Sequence, residues 1–242
     1  GAGETGQFRK APHEPGGEPW LQRGDRVWAV YGKGPRQLRA GISLTEFTRN
    51  VAERFGIAAT ILPMSDERVE TTVITPAGAL SFQHYFVEKQ CIPVVRRLEF
   101  RGAERARVSD AVAAALRNPG LDAIIVCPSN PYLSIDPILA VPGMRAALKA
   151  AEVPVIVVSL LIGGQAVKGP TAKLIVELGV PADSRALAAH YAGLIDGMVI
   201  DESDRADAAA LDIPVCVAPT LMRTLEDRVR LARTCADFAM QL

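Results

Sequence analysis

The second half of the chain contains four short apolar runs: DAIIVC (122–127), VPVIVVS (153–159), GMVI (197–200) and IPVCVA (213–218). None alternates apolar with polar residues, and ten or more residues of helical character separate each run from the next. Strands that are buried on both faces have this continuous apolar pattern. The runs therefore predict an α/β fold, a Rossmann-like parallel sheet with helices on both faces.

The stretch from about residue 57 to 100 has a different pattern. ATILPM, VETTVIT, ALSFQHYFV and VVRRLEF are short, rich in β-branched and aromatic residues, and separated by turn residues. They predict a small antiparallel β insertion. Residues 1–19 are rich in Gly and Pro and predict a flexible leader, which leaves 20–242 as a single α/β domain.

Two helices have predicted caps. In SLTE, Ser43 and Glu46 have the spacing of a capping box, followed by apolar residues on one face. Thr224 with Asp227 predicts the start of a last helix over 225–240.

Composition excludes several classes of protein. Lys plus Arg equals Asp plus Glu at 27 each, so no positive excess attracts nucleic acid. The four cysteines are far apart, and three lie in apolar stretches, which is typical of buried free thiols in a reducing compartment. No apolar run approaches the ~20 residues of a membrane span. We therefore expect a cytoplasmic protein.

In parallel α/β sheets, ligands bind beyond the carboxyl ends of the strands, so the loops there are the candidate site. After the first run, Ser129 and Asn130 form a tight turn, and Ser134 lies close to the start of a helix at Asp136. These groups can donate to phosphate oxygens. The alternative is that Ser129 and Asn130 satisfy their own turn and Asp136 is only an N-cap.

After the second run, Gly163 and Gly164 are followed by Lys168 and Gly169. Glycines allow a loop to approach a ligand closely, and a lysine before a helix can face an anion. The alternative is an ordinary solvated lysine. Lys173, one turn further, is predicted to lie on the surface.

After the third run come Asp201, Glu202 and Asp204. Carboxylates at this position hold a divalent cation or cap the next helix, and both roles stay open.

Four further polar residues lie in or near these segments. Thr220 and Arg223 follow the last run, where Arg223 binds an anion or pairs with a carboxylate. His190, on the apolar side of a helix, is predicted to be a hydrogen-bonded packing residue rather than a base, and His84 in the insertion is similar.

Several blocks resemble one known family in consecutive order. They are CPSNPYLSIDPILAVPGMRAAL, VPVIVVSLLIGGQAVKGPTAKLIVELG, AAHYAGLIDGMVIDESD and PTLMRTLEDRVRLAR, preceded by PWLQRGDR, LPMSDE and SFQHYFV. They resemble the 2-phospho-L-lactate transferase family of deazaflavin coenzyme F(420) biosynthesis, over about 220 residues.

The resemblance implies transfer of a phospholactyl or phosphoenolpyruvyl group from a guanosine diphosphate (GDP) donor to the deazaflavin Fo. The products would be an F(420)-0 type compound and GMP, with Mg²⁺ as cofactor. It implies a donor and phosphate wall made of Ser129, Asn130, Ser134, Gly163, Gly164, Lys168 and Gly169. It implies acceptor contacts from Met64, Ser65 and Asp66, while catalytic residues and metal ligands stay unassigned.

The chain departs from the family pattern in places. Nothing in it matches the family's opening strand and GGTGGAK-like turn, and TDTLM in relatives is APTLM at 218–222. The alternatives are therefore an impaired fragment or paralogue that only binds nucleotide or deazaflavin, and a relative that uses another diphosphate donor. Loss of a first strand would expose a sheet edge, so a homodimer is a further expectation.

Overall fold

A computed structural model describes residues 40–166 and 171–242, together with two short strands at Arg9–Lys10 and Gln22–Arg23. The predicted flexible leader, residues 1–19, lies outside the described residues apart from Arg9–Lys10, which pairs antiparallel with Gln22–Arg23.

The described residues form eleven strands and seven α-helices. The strands are β1 (Arg9–Lys10), β2 (Gln22–Arg23), β3 (Glu70–Thr75), β4 (Gly78–Ser81), β5 (Arg97–Arg101), β6 (Ile124–Val126), β7 (Val155–Val158), β8 (Leu161–Ile162), β9 (Gln165–Ala166), β10 (Gly197–Ile200) and β11 (Val215–Val217). The α-helices are α1 (Leu44–Arg54), α2 (Asp110–Leu116), α3 (Asp136–Leu139), α4 (Met144–Lys149), α5 (Thr171–Glu177), α6 (Ser184–His190) and α7 (Leu225–Ala239). Two π-helical turns (His84–Glu88 and Pro131–Ile135) and two 3₁₀-helices (Ala103–Arg105 and Glu202–Ala210) complete the described elements.

The four predicted apolar runs form one parallel sheet in the order β11-β10-β7-β6. The two central strands are buried along their whole length, which explains why their sequences are continuously apolar. The predicted fold class is confirmed.

Successive residues of the central strands point to opposite faces, and each face has its own core. On one face, Val157 and Met198 pack with Leu187 and Tyr191, which belong to and follow α6. On the other face the neighbouring strand residues pack against α7, in a cluster that includes Ile156, Val158, Val199, Leu231, Cys235 and Phe238. Helices therefore cover both faces of the sheet, as the sequence predicts.

The insertion contains a three-stranded antiparallel sheet in the order β4-β3-β5. Two of its four predicted strands need correction. Residues 59–64 form no strand, and residues 57–61 are exposed. In ALSFQHYFV the strand ends at Ser81, whose hydroxyl accepts a hydrogen bond from His84 N at 3.3 Å and so starts a helical turn.

Both predicted helix starts are confirmed. Ser43 Oγ accepts a hydrogen bond from Glu46 N at 3.1 Å. Thr224 and Asp227 form the reciprocal capping box of α7, in which each side chain accepts a hydrogen bond from the other residue's main-chain N–H. The helix ends at Ala239, one residue before the predicted end.

All four cysteines are free thiols. Burial raises the pKa of Cys235 to about 11, as expected for an inert core thiol. Cys127, by contrast, is exposed at the end of β6. Among the helices that the structure describes, none has the length and hydrophobicity to cross a bilayer.

Candidate functional site

A crevice of about 460 Å³ opens where the carboxyl ends of the parallel strands meet the insertion. Its lining comes from the loops after β6, β7 and β11, from the start of α5, and from the helical turn of the insertion. The lining residues are Phe82, Phe86, Pro128, Ser129, Asn130, Leu133, Ser134, Ser159, Leu160, Ile162, Thr171, Thr220, Leu221 and Met222. None of these described lining residues carries a charge.

Asp201 joins the loop after β10 to the loop after β11, which carries the lining residue Thr220. Asp201 follows β10 and is buried, with Oδ1 accepting from Ser203 N at 3.0 Å. Its Oδ2 accepts from both the main-chain N (2.9 Å) and the hydroxyl (3.1 Å) of Thr220. Burial works against ionisation, but these hydrogen bonds outweigh it and lower the pKa of Asp201 below its ordinary value. Asp201 is thus an ionised cap that holds the loop after β11.

Asp204 fixes the loop after β7 in the same way. Its carboxylate is buried and accepts hydrogen bonds from Gly163 N at 3.1 Å and Gly164 N at 2.6 Å. Both glycines have left-handed backbone angles, with φ of 60° and 69°. Residues with a Cβ rarely adopt this conformation, so the Gly-Gly pair is required by the turn itself.

Asn130 connects the loop after β6 to α5. Its Oδ1 accepts from Tyr132 N and Leu133 N, each at 3.0 Å, and so caps the π-helical turn. Its Nδ2 donates to Thr171 Oγ1 at 3.0 Å. The turn-satisfying role considered for Asn130 is therefore present, and the residue also lines the crevice.

The hydroxyl groups of the crevice differ in what they can still do. The side chains of Ser129 and Ser134 make no hydrogen bond to any other residue that the structure describes, so both are available to a ligand. Ser159 Oγ accepts from Leu161 N at 3.1 Å and keeps its proton for donation. Thr220 gives its proton to Asp201, so its oxygen can serve a ligand only as an acceptor.

The other predicted donor residues have mixed positions. Gly163 and Gly164 are exposed and are not among the lining residues, and their N–H groups donate to Asp204. Lys168 and Gly169 fall in the segment 167–170, outside the described residues. The structure therefore brings together Ser129, Asn130, Ser134 and Thr220 but leaves the position of the predicted lysine open.

The predicted acceptor residues do not contribute to the lining of this crevice. Met64 packs in the cluster around Val141 and Met144. Ser65 is buried, and its Oγ lies 2.6 Å from Glu67 Oε2 and from a main-chain oxygen. Asp66 Oδ1 accepts from Thr45 N at 2.7 Å, at the start of α1. All three make contacts within the fold.

The structure also describes three other predicted residues, although for Arg223 it tests neither predicted role of the side chain. Arg223 is exposed, and its main-chain N donates to Asp227 Oδ2 at 2.9 Å. His190 is a hydrogen-bonded packing residue as predicted, with Nε2 2.7 Å from Asp136 Oδ1. Lys173, predicted to lie on the surface, keeps 33% of its side chain exposed but is paired rather than freely solvated. Its Nζ pairs with Glu177 at 2.5 Å and donates to Pro93 O at 2.8 Å, because the insertion packs over α5.

The carboxylates at this edge act as caps. Asp201 and Asp204 use their oxygens for main-chain N–H groups, whereas Glu202 is exposed. In the part of the chain that the structure describes, no group of three or more His, Cys, Asp or Glu side chains could hold a metal ion. The described residues therefore do not fit a metal site built by the protein alone.

Sequence reasoning missed the aromatic part of the crevice. Phe82 and Phe86 lie in the segment predicted as a strand, and the structure places both in the lining. Their spacing of four residues, which puts side chains on one face of a helix, was the available signal. Ser159 and Thr171 were also missed, although both directly flank predicted loop residues.

The fold is shared with known structures. A crystal structure of a member of the UPF0052 family from Bacillus halodurans superimposes with a TM-score of 0.52 at 15% identity, over 77% of this chain and 66% of that one. Curated relatives are closer in sequence. A 2-phospho-L-lactate transferase of Methanosarcina acetivorans is 40% identical over 233 residues, which is 95% of this chain and 73% of the relative.

A second named activity occurs among the relatives. A phosphoenolpyruvate transferase of Kitasatospora aureofaciens is 36% identical over 250 residues, which covers this whole chain and 77% of that protein. The sequence model for 2-phospho-L-lactate transferase CofD matches residues 33–216, a range that includes three of the four parallel strands and most of β11 with the loops between them. With its sheet, its order of sequence blocks and these relatives in agreement, the chain belongs to the 2-phospho-L-lactate transferase CofD family.

Proposed function

We propose that this protein transfers a phospholactyl or phosphoenolpyruvyl group from a GDP-linked donor to the terminal hydroxyl of the deazaflavin Fo and releases GMP. Membership of a transferase family supports the reaction class. One relative is named for phospholactate and another for phosphoenolpyruvate, so the proposal includes both groups. The observation that carries it is the crevice at the strand ends, where unengaged hydroxyls and a large cavity coincide.

The donor's diphosphate would lie against the loop after β6. The hydroxyls of Ser129 and Ser134 can donate to phosphate oxygens, and Asn130 Nδ2 has a second N–H beside the one that Thr171 accepts. Gly163 and Gly164 would contribute indirectly, by fixing the turn that precedes Lys168 and Gly169 in the sequence. Lys168 would supply the positive charge that the described lining does not contain.

Thr220 would orient the attacking hydroxyl. Because its own proton is directed to Asp201, its oxygen can accept a hydrogen bond from the alcohol of Fo and hold that oxygen toward the phosphorus. Such a transfer relies on positioning and electrostatic stabilisation rather than on a covalent nucleophile. Met64, Ser65 and Asp66 stay predicted acceptor contacts that follow from the family resemblance alone.

Magnesium belongs to the proposal as a partner of the donor's phosphates. Mg²⁺ is commonly held by substrate phosphates with one or two protein carboxylates. Since the described carboxylates do not fit a complete site, we assign no ligand and no reaction step to the metal. Titration of activity and of GDP affinity with Mg²⁺ tests the requirement.

Turnover by the purified chain is the direct test. The chain is mixed with donor, Fo and Mg²⁺, and GMP and the phosphodiester product are separated by chromatography. Appearance of both supports the transferase. Binding of GDP or Fo without any product would instead support the impaired, binding-only alternative, and a screen of other nucleotide donors addresses a different specificity.

A pair of hydroxyl variants tests the site itself. Ser129→Ala removes an available hydroxyl from the crevice, and we expect kcat/KM to fall about tenfold, since one hydrogen bond to a charged group is lost. Thr60→Ala is the matched control, because Thr60 is exposed and outside the lining. Equal kcat/KM values for the two variants would remove Ser129 from the donor site.

A further inference from the structure

The crevice contains one aromatic surface that the proposed reaction has not yet used. Phe82 and Phe86 are stacked, with ring centroids 5.4 Å apart and an interplanar angle of 25°. Both line the crevice, and Phe86 is 42% exposed. Within a stacked pair each ring uses one face, and the exposed part of Phe86 is accessible to a third ring. Covering exposed aromatic surface with a ligand removes apolar area from water and so favours binding.

The helical turn that carries Phe82 and Phe86 is anchored to the core by Tyr85. Tyr85, between the two phenylalanines in the sequence, is fully buried and packs with Val73, Val95 and Leu174 of the insertion and α5. Its hydroxyl donates to Cys91 O at 3.3 Å. The pair therefore stands on a packed core.

A second set of contacts ties the insertion to α5. Val95 N donates to Glu177 Oε2 at 2.9 Å. Lys173 bridges Glu177 and Pro93 O, as described above. These bonds join residues about 80 positions apart in the chain and hold the insertion beside the strand ends. The aromatic pair is thus positioned before any ligand arrives, which lowers the entropy cost of binding.

The composition of the crevice matches a ligand with two unlike parts. Hydroxyl and amide groups come from the loops of the parallel sheet, including Ser129, Asn130 and Thr220, while the aromatic rings come from the insertion. Planar heterocycles stack on aromatic side chains in an offset geometry and gain affinity beyond the buried area. A flat heterocycle joined to a phosphate or an alcohol would engage both parts at once.

We propose that the stacked pair Phe82–Phe86 is the binding wall for a planar heteroaromatic ring of the substrate. This inference rests on the proposed function, which supplies two such rings, the guanine of the donor and the deazaflavin of Fo. The wall makes the insertion a determinant of substrate specificity, separate from the phosphate-binding loops. Phe86, as the more exposed ring, carries the larger share of the contact.

The experiment measures GDP and Fo affinity separately, by calorimetric titration of the full chain. Phe86→Ala is expected to weaken one of the two ligands about 5- to 150-fold, the range found when a stacking aromatic is removed, and to leave the other within about twofold. Phe86→Trp keeps an aromatic face and should retain the affinity. The ligand that is lost identifies the ring.

The control is Phe55→Ala, which removes a ring that is 49% exposed at the end of α1 and outside the crevice. Circular dichroism checks folding, and Phe86→Leu replaces the alanine variant if that one unfolds. Unchanged affinity for both ligands in a folded Phe86 variant, or an equal loss of both, would overturn the ring wall while turnover by the wild type still supports the transferase. Binding of neither ligand by the wild type would overturn the proposed function and this inference with it.

Discussion

The two hydrogen bonds from the Gly-Gly turn to Asp204 allow a quantitative prediction for Asp204→Asn. The aspartate carboxylate accepts from Gly163 N and Gly164 N. An asparagine side chain has a single acceptor oxygen and must turn its NH₂ group toward the other N–H. One charge-assisted hydrogen bond is lost, and one of the two glycine N–H groups loses its carboxylate partner.

The size of the effect follows from that loss. A hydrogen bond to a charged group contributes about 1.5–3 kcal/mol to the free energy of unfolding. For a domain of this size each kcal/mol corresponds to a shift of about 2–4 °C in Tm, so we expect Asp204→Asn to melt about 3–12 °C below the wild type. The amide protons of the Gly-Gly turn should also exchange with solvent faster than in the wild type.

Thermal unfolding followed by circular dichroism gives the first quantity, and hydrogen exchange measured by mass spectrometry gives the second. Glu202→Gln is the matched control, because it removes a carboxylate from the same 3₁₀-helix but from an exposed side chain. An Asp204→Asn variant with the same Tm as Glu202→Gln would refute the argument that this carboxylate holds the turn.

Three further predictions concern stability. Hydrogen bonds outweigh burial and lower the pKa of Asp201, so its carboxylate stabilises the fold above the ordinary value of 3.8. The Tm difference between wild type and Asp201→Asn should therefore be full at pH 7 and shrink as pH falls through the lowered pKa, whereas a difference independent of pH between 7 and 2 would contradict this. Lys173→Met removes a half-buried ion pair and a hydrogen bond to the insertion, so urea unfolding should show that the free energy of unfolding falls by about 1–2 kcal/mol. An unchanged free energy of unfolding would show that these contacts do not stabilise the fold. Gly102→Ala should destabilise more than Gly56→Ala in the same assay, since both have positive φ but only at Gly102 does an added Cβ meet a main-chain oxygen, that of Arg68, at 2.3 Å; equal losses would show that the contact relaxes.

The parallel sheet was predictable because strands that are buried on both faces have apolar residues at every position. Val155–Val158 and Gly197–Ile200 are apolar at every position, and short runs rich in β-branched residues are typical of strands buried on both faces. Helix caps were predictable for a similar reason, since the capping box of Thr224 and Asp227 is entirely local. The loops at the strand ends then follow from the topology of the sheet.

The insertion was harder because its composition does not separate strand from helix. ALSFQHYFV has the aromatic content of a strand, yet a local hydrogen bond to Ser81 and the burial of Tyr85 against α5 turn its second half into a helix. The role of Lys173 likewise depends on Pro93 O, a partner 80 residues away that no local pattern indicates. Tertiary contacts decided both cases.

The same limit applies to the acidic residues after β10. A helix cap and a metal ligand can both be a carboxylate directly after a strand, so the sequence allowed both roles for Asp201 and Asp204. Thr220 N, which donates to Asp201, is about 20 residues away in the chain, and the glycine N–H groups that donate to Asp204 are about 40 residues away. Only the folded chain shows these partners. Ser129, Asn130 and Ser134 were found because they lie directly beyond a strand.

The carboxylates of Asp201 and Asp204 bind chiefly the main-chain N–H groups of the neighbouring loops rather than the side chains of those loops. A lining side chain outside the core clusters, such as Leu221, can therefore be exchanged while the backbone path stays in register. This division suits protein engineering: a library restricted to such lining positions would sample new substrate preferences on an unchanged frame, provided that the two anchoring carboxylates are left intact.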